Sequence, residues 1–69
     1  MPRNELSKLT PREREILAQL AQGRLYKEIA AELGISPSTV RAHLHSVYGK
    51  MGVASRTQAV VRFLALRGR

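Results

Sequence analysis

The fold depends most on residues 30–44, which read AAELGISPSTVRAHL. Gly34 can adopt the left-handed backbone that ends one helix and reverses the chain. Ser36 is a typical N-cap for a second helix. The small Ala30 permits a close approach of the two helices, and Val40 is placed to fill the angle between them. Because only about three residues separate the helices, they must cross steeply, and the stretch predicts a helix-turn-helix.

Two further helices are expected on either side of this stretch. Residues 10–13, TPRE, are typical of a helix start, since the threonine can cap, the proline suits the first turn and the glutamate can complete a capping box. Residues 55–58, SRTQ, have the same form. The expected fold class is therefore all-α, a compact four-helix domain that contains the helix-turn-helix. The helices are expected at about 11–22, 26–33, 37–51 and 56–66.

The rest of the sequence limits what this domain can be. Residues 1–8 show no helical periodicity and are expected to be a flexible lead-in, so that the domain covers 9–67. A chain of 69 residues has little room for a catalytic cleft beside a core. Cysteine is absent and the longest apolar run is 63–66, so we expect no disulfide, no thiolate metal site and no membrane span. A cytoplasmic location is expected.

Charge is distributed unevenly along the chain. All five acidic residues lie in the first 32 positions, where six bases leave a net charge of only +1. Residues 33–69 carry six bases and no acid, and so hold +6 of the total +7. Such a potential attracts polyanions, although improved solubility is the alternative explanation. Charge alone does not distinguish DNA from RNA or a membrane surface.

The third expected helix has two unlike faces on a helical wheel. One face is a core stripe, formed by Val40, Leu44, Val47 and Met51. The opposite face carries no acid, and consists of Arg41, Ala42, His45, Ser46 and Gly49. Small residues let a helix lie close to base edges, and arginine can bind guanine through two hydrogen bonds. We therefore expect this helix to enter the major groove of double-stranded DNA, since a solvated face more often carries Glu–Lys pairs.

Several segments resemble the LuxR-type DNA-binding domain of bacterial transcription regulators. These are LTPRERE at 9–15, KEIA at 27–30, SPSTVRAHL at 36–44, YGKMGV at 48–53 and SRTQA at 55–59. The resemblance covers about residues 9–66. It implies sequence-specific DNA binding in which the third helix reads the major groove and the fourth helix supports dimerisation on a roughly palindromic site.

The resemblance also implies roles for individual residues. Arg41, Ala42 and His45 would face bases. The residues at or near the phosphate backbone would be Lys27, Ser36, Ser38, Thr39, His43 and Lys50. A partly buried, structural histidine is an equally good interpretation of His43, because it lies at the edge of the core stripe.

The fourth helix is expected to be apolar on two sides. Val60, Phe63 and Leu64 share one face, while Val61 and Ala65 lie about 100° away around the helix. We expect Val61 and Ala65 to form the interface of a weak homodimer that is stabilised on DNA. The alternative is that both are tolerated apolar residues on the surface. RNA polymerase is a further partner that a transcription regulator would have.

Enzyme activity, a cofactor and a metal are not expected. His43 and His45 lie on different sides of their helix and cannot share a metal ion. Nothing in the sequence links a serine, a histidine and an acid into a triad, and Gly49-Lys50 lacks the upstream glycine of a phosphate-binding loop.

Two positions depart from the LuxR pattern, and other functions stay open. Leu25 stands where the family usually has a small polar residue, and Tyr26 where it often has asparagine. The second helix thereby loses its usual cap, at a cost of about 1 kcal/mol, and we leave the roles of both residues open.

Family members usually follow a sensory or phosphoacceptor domain, so the sequence is either such an output domain or a stand-alone regulator. The other candidate functions are promoter binding like that of sigma-factor region 4 and a protein-interaction module that does not read DNA.

Overall fold

The computed structural model describes residues 5–67, and in that range it is all-α. A short 3-10 helix covers Glu5–Lys8, and four α-helices follow: α1 (Pro11–Ala21), α2 (Tyr26–Leu33), α3 (Pro37–Met51) and α4 (Arg56–Arg67). The predicted fold class is confirmed, and no predicted helix boundary is more than one residue from the observed one. None of the helices within 5–67 has the length and apolar character needed to cross a membrane.

Helices α1 and α3 begin at the predicted caps. The Thr10 hydroxyl accepts a hydrogen bond from the Glu13 amide at 3.1 Å, and the Glu13 carboxylate accepts one from the Thr10 amide at 2.9 Å. At α3, the Ser36 hydroxyl accepts a hydrogen bond from the Thr39 amide at 3.1 Å. Each cap satisfies backbone donors that have no partner inside the helix. Local sequence therefore determines where these two helices start.

Helix α2 lacks its usual side-chain cap, as predicted, and α4 begins with only part of the predicted capping box. Leu25 has no side-chain acceptor, but the Glu28 carboxylate accepts a hydrogen bond from the Leu25 amide at 2.7 Å. At α4, the Ser55 hydroxyl accepts from the Gln58 amide at 3.2 Å, while the Gln58 side chain accepts from the Ala54 amide at 2.8 Å. The reciprocal bond therefore comes from one residue earlier than the capping box predicts.

The turn between α2 and α3 has the predicted geometry. Gly34 has φ +70°, in the left-handed region that side chains rarely adopt, and its amide donates to the Ala30 carbonyl. The Ile35 amide also donates to the Ala30 carbonyl, at 3.0 Å. These bonds end α2 and redirect the chain, so that α3 crosses α2 within a few residues.

The core lies around α3, which contacts each of the other three α-helices. The predicted core stripe is confirmed, since Val40, Leu44, Val47 and Met51 are all buried. The other buried apolar residues are Leu9, Ile16, Leu17, Leu20, Ile29, Ala30, Ala59 and Phe63. With one face of α3 held inside the domain, the opposite face is directed outward.

The start of the chain differs from the prediction of a flexible lead-in over 1–8. Residues 5–8 form the 3-10 helix, whose Leu6 packs against the core, and Leu9 is buried. The helix is too short to produce a recognisable period in the sequence, but its leucine and Leu9 supply apolar surface to α3 and α4. The remaining part of the predicted lead-in, residues 1–4, lies outside the described residues.

Candidate nucleic-acid interface

The exposed face of α3 brings together the three residues predicted to face bases. Arg41, Ala42 and His45 are all exposed, on the side of α3 opposite the buried stripe. Helix α3 has 15 residues, and a helix of that length extends about 22 Å. An α-helix fits the major groove of B-form DNA, which is about 12 Å wide. The face carries an arginine donor, an imidazole and a small residue, and α3 contains no acid.

Three of the six residues predicted near phosphates lie at the start of α3. Ser36, Ser38 and Thr39 are exposed in its first turn, where backbone amides and the helix dipole favour an anion. The Ser36 and Thr39 hydroxyls are 2.9 Å apart and hydrogen-bonded to each other. Lys27, near the start of α2, is exposed and forms no salt bridge with the part of the chain that the structure describes.

His43 is intermediate in exposure, unlike its neighbours Ala42 and Leu44. Its position at the edge of the buried stripe is as the wheel predicted, and both interpretations of His43 remain compatible with it.

A buried carboxylate joins α3 to α1, and the sequence analysis did not identify it. Glu13 is 5% exposed. One carboxylate oxygen accepts a hydrogen bond from Lys50 Nζ at 2.8 Å, and the other accepts one from the Ser46 hydroxyl at 2.9 Å. Ser46 is exposed, as predicted, but its hydroxyl also contacts α1. Lys50, one turn after Ser46 on the same side of α3, binds the same carboxylate, and this spacing is the signal that could have indicated the contact.

The hydrogen bonds at Glu13 stabilise its charged form. Burial alone would raise the pKa of this carboxyl, but the hydrogen bonds from Lys50, the Thr10 amide and Ser46, together with the Lys50 charge, lower it to about 2 from the usual 4.5. Glu13 is therefore ionised throughout the physiological range. It neutralises part of the charge of Lys50, which is the only predicted phosphate contact that is involved in a salt bridge within residues 5–67.

Two other acidic side chains form salt bridges with arginines from the same part of the chain. Glu15 contacts Arg12 at 3.5 Å, and Glu32 contacts Arg24 at 3.6 Å. These two pairs are formed between residues of the first 32 positions, whereas the pair of Glu13 with Lys50 reaches α3 and compensates one of its bases. Most of the charge asymmetry in the sequence therefore remains, with +6 of the net +7 carried by residues 33–69.

The two residues that depart from the family pattern have different environments. Leu25 is 50% exposed, whereas Tyr26 is half-buried and packs against the core. The guanidinium carbon of Arg41 lies over the Tyr26 ring, 5.8 Å from its centroid. No role for Tyr26 was predicted from the sequence. Only its departure from the usual residue type of the family indicated that this position is unusual.

Helix α4 presents an apolar strip that the core does not use. Val61 is 62% exposed and Ala65 is exposed, and both line a groove of about 510 Å³ beside Gly52 and Val53. Leu64 was predicted on the inner face but is 48% exposed. The inner face is formed instead by Ala59 and Phe63, which are one turn apart and buried, with Val60 and Leu66 packed partly against the core.

The sequence of the chain matches a known family of regulatory proteins. The sequence model of "Bacterial regulatory proteins, luxR family" matches residues 7–63. The chain is 50% identical to the spore germination protein GerE of Bacillus subtilis over 58 residues, which are 84% of this chain and 78% of GerE. It is 48% identical to the probable HTH-type transcriptional regulator GfsR of Streptomyces halstedii over 60 residues, which are 87% of this chain but only 25% of GfsR.

Solved structures give the same result. The structure of the transcription factor GerE has a TM-score of 0.80 and 40% identity, covering 94% of this chain and 92% of GerE. The response regulator ChrA of a heme-sensing two-component system has a TM-score of 0.81 and 42% identity, covering 97% of this chain and 32% of ChrA. GerE is named as a transcription factor and GfsR as a probable transcriptional regulator, which supports the prediction that the chain is not an enzyme. The chain belongs to the luxR family of bacterial regulatory proteins and is a DNA-binding helix-turn-helix domain of that family.

Proposed function

We propose that this domain binds double-stranded DNA sequence-specifically by inserting the exposed face of α3 into the major groove. The observation that carries the proposal is the arrangement of α3 itself. Its stripe from Val40 to Met51 is buried, and the opposite face presents Arg41, Ala42 and His45 without any acidic residue. In this arrangement Arg41 donates to a guanine, Ala42 allows close approach, and His45 contacts a neighbouring base.

Phosphate contacts fix the helix in the groove. Ser36, Ser38 and Thr39 lie at the start of α3 and would hold one strand, together with Lys27 near the start of α2 and His43 farther along α3. Lys50 would hold a phosphate near the other end of α3. Its ammonium has three donors, of which one is used by Glu13, and its side chain is 36% exposed, so donors remain for a phosphate.

Salt dependence tests whether the domain binds DNA at all. If each domain neutralises about 3–5 phosphates, the logarithm of the association constant should fall with the logarithm of the salt concentration with a slope of about −3 to −4.5. A fluorescence-anisotropy titration with random duplex DNA measures this slope. A domain that only contacts proteins, the other candidate function, would show no DNA binding at low salt.

Base readout is tested at Arg41. After selection of bound sites from a random duplex pool, Arg41→Ala should weaken binding to the selected site by about 1–3 kcal/mol and relax the preference at one base pair. A matched control is Arg12→Ala, because Arg12 is an exposed arginine on α1 that already pairs with Glu15. Equal weakening on selected and random DNA would assign Arg41 to the phosphate contacts instead.

We further propose that two copies associate weakly through Val61 and Ala65 on α4. The exposed strip is short, so we expect a dissociation constant of about 100 μM or weaker for the free protein. On DNA, the first bound copy raises the local concentration of the second, and a weak contact is then sufficient. Two-fold pairing would place the reading helices on half-sites about one helical turn apart, giving a roughly palindromic site.

The dimer is tested with a charge on α4. Val61→Glu should abolish cooperative binding to two half-sites and leave affinity for a single half-site nearly unchanged. Ala31→Glu, which adds the same charge at an exposed alanine of α2, is the control. Cooperative binding by Val61→Glu would exclude this surface, and the Leu25–Tyr26 segment would then be the candidate interface.

As a bacterial transcription regulator, the protein would act in the cytoplasm, and RNA polymerase is the further partner that we propose for it.

A further inference from the structure

The contact between Arg41 and Tyr26 links the helix proposed to read bases to the helix before it. The guanidinium carbon of Arg41 lies 5.8 Å from the centroid of the Tyr26 ring, within the distance at which an aromatic ring attracts a cation. Arg41 is the fifth residue of α3, and Tyr26 is the first residue of α2. The contact is therefore tertiary and depends on the steep crossing of the helix-turn-helix.

The Tyr26 ring is held firmly enough to act as a platform. It packs against the hydrophobic core on one side and is only half-buried, so its other face is available to Arg41. Tyr48 of α3 also packs against the core next to it. Burial raises the pKa of Tyr48 to about 12. No residue in the described range forms a hydrogen bond with the Tyr48 hydroxyl.

An exposed arginine normally samples many rotamers, and it loses that freedom when it binds a base edge. A guanidinium that stacks on a ring keeps its N–H groups, which point outward in its own plane, free to donate. The platform therefore restricts the rotamers of Arg41 before DNA is bound and leaves the donors available. Arg41 therefore loses less side-chain entropy when it binds a base. The resulting gain in affinity is confined to the interactions that Arg41 makes.

We propose that Tyr26 is a positioning residue for Arg41, and that it sharpens the base preference at the one base pair that Arg41 contacts. The inference rests on the proposed function, since it requires that Arg41 contact a base. It gives a role to the aromatic residue that stands where the family often has asparagine. A cation–π contact at an exposed site corresponds to about a two- to fivefold change in discrimination.

The test compares variants of the 69-residue chain on three duplexes: the selected site, the same site with the Arg41 base pair changed, and random DNA. Tyr26→Leu removes the ring and keeps a smaller apolar side chain against the core. It should reduce the discrimination ratio at that base pair by about two- to fivefold and leave binding to random DNA unchanged. Tyr26→Phe, which retains the ring, should keep the wild-type ratio. Thermal melts of each variant identify any loss of folding.

A double-mutant cycle distinguishes this inference from the proposed function. With Arg41→Ala already present, Tyr26→Leu should have no further effect on discrimination. If Arg41→Ala relaxes the preference but Tyr26→Leu does not, or if Tyr26→Leu acts equally on all three duplexes, the inference is overturned while the proposed function remains. If Arg41→Ala leaves the preference unchanged, the base-reading role fails, and the role of Tyr26 fails with it. If Tyr26→Leu melts so early that it cannot be compared, Tyr26→Phe and Tyr26→Met replace it as the pair with and without a ring.

Discussion

Glu13 offers the sharpest test of how α3 is held, because one substitution removes its charge and almost nothing else. In Glu13→Gln, the remaining amide oxygen can still accept from Thr10 and Lys50, and the new amide group can donate to the Ser46 hydroxyl, which accepts equally well. The capping of α1 is therefore preserved. Any loss of stability then measures the charge in its buried position.

The expected loss follows from the geometry. Charge-assisted hydrogen bonds contribute about 1.5–3 kcal/mol each, more than neutral ones. The Glu13 side chain is only 6% exposed, but that of Lys50 is 36% exposed, so solvent screens part of the attraction. We therefore expect Glu13→Gln to reduce the free energy of unfolding at neutral pH by about 1–2 kcal/mol. For a domain of this size that corresponds to a fall in Tm of roughly 5–15 °C.

The dependence on pH makes the test specific. Because folding lowers the pKa of Glu13 to about 2 from 4.5, its contribution is fully present above the unfolded value and is lost as the pH falls towards the folded value. Between these limits the wild type should lose up to about 1.4 kcal/mol per pH unit that the glutamine variant does not lose. Urea unfolding followed by circular dichroism, at several pH values from neutral to about 3, measures this difference.

The control and the contrary result are both well defined. Glu15→Gln changes an exposed carboxylate that pairs with Arg12 at 3.5 Å, and it should alter stability by less than about 0.5 kcal/mol. The reasoning is refuted if Glu13→Gln is as stable as the wild type at neutral pH, or if the two proteins lose stability in parallel as the pH falls.

The remaining predictions concern the core and the ends of helices. Leu44→Ala should destabilise the domain by about 2–4 kcal/mol in urea unfolding, because the side chain is buried, and a loss below about 1 kcal/mol would contradict its core position. Gly34→Ala should reduce stability by about 1 kcal/mol through its φ of +70°, although no neighbouring atom obstructs a Cβ there, so an unchanged Tm would argue against the left-handed turn. Ser36→Ala should lower stability by about 1 kcal/mol with Ser38→Ala as the exposed control, and equal effects of the two would show that the cap contributes nothing.

The features that the sequence predicted correctly are local ones. The caps at Thr10 and Ser36 and the glycine turn at Gly34 involve residues at most five positions apart, so their geometry follows from residue type and spacing. The buried stripe of α3 follows from the helical period alone. For that reason the helix bounds and the outward face of α3 could be predicted without a structure.

The features that could not be predicted from the sequence are tertiary contacts. Glu13 and Ser46 are 33 positions apart, and no periodicity connects them. Tyr26 meets Arg41 only because α2 and α3 cross as they do. The exposure of Leu64 depends on which side of α4 faces α1 and α3, and the wheel of an isolated helix does not determine this orientation. Such contacts depend on how helices are arranged, which residue spacing within one helix does not contain.

The shared carboxylate at Glu13 also has a consequence for hydrogen exchange. The first residues of a helix normally fray, so their amide protons exchange through small local openings. The Thr10 amide donates to Glu13, and this same carboxylate accepts hydrogen bonds from Ser46 and Lys50 of α3. Opening this end of α1 therefore requires separating α1 from α3. The Thr10 amide should exchange with the slow kinetics of global unfolding, which makes an outer residue of α1 a reporter of the integrity of the α1–α3 interface.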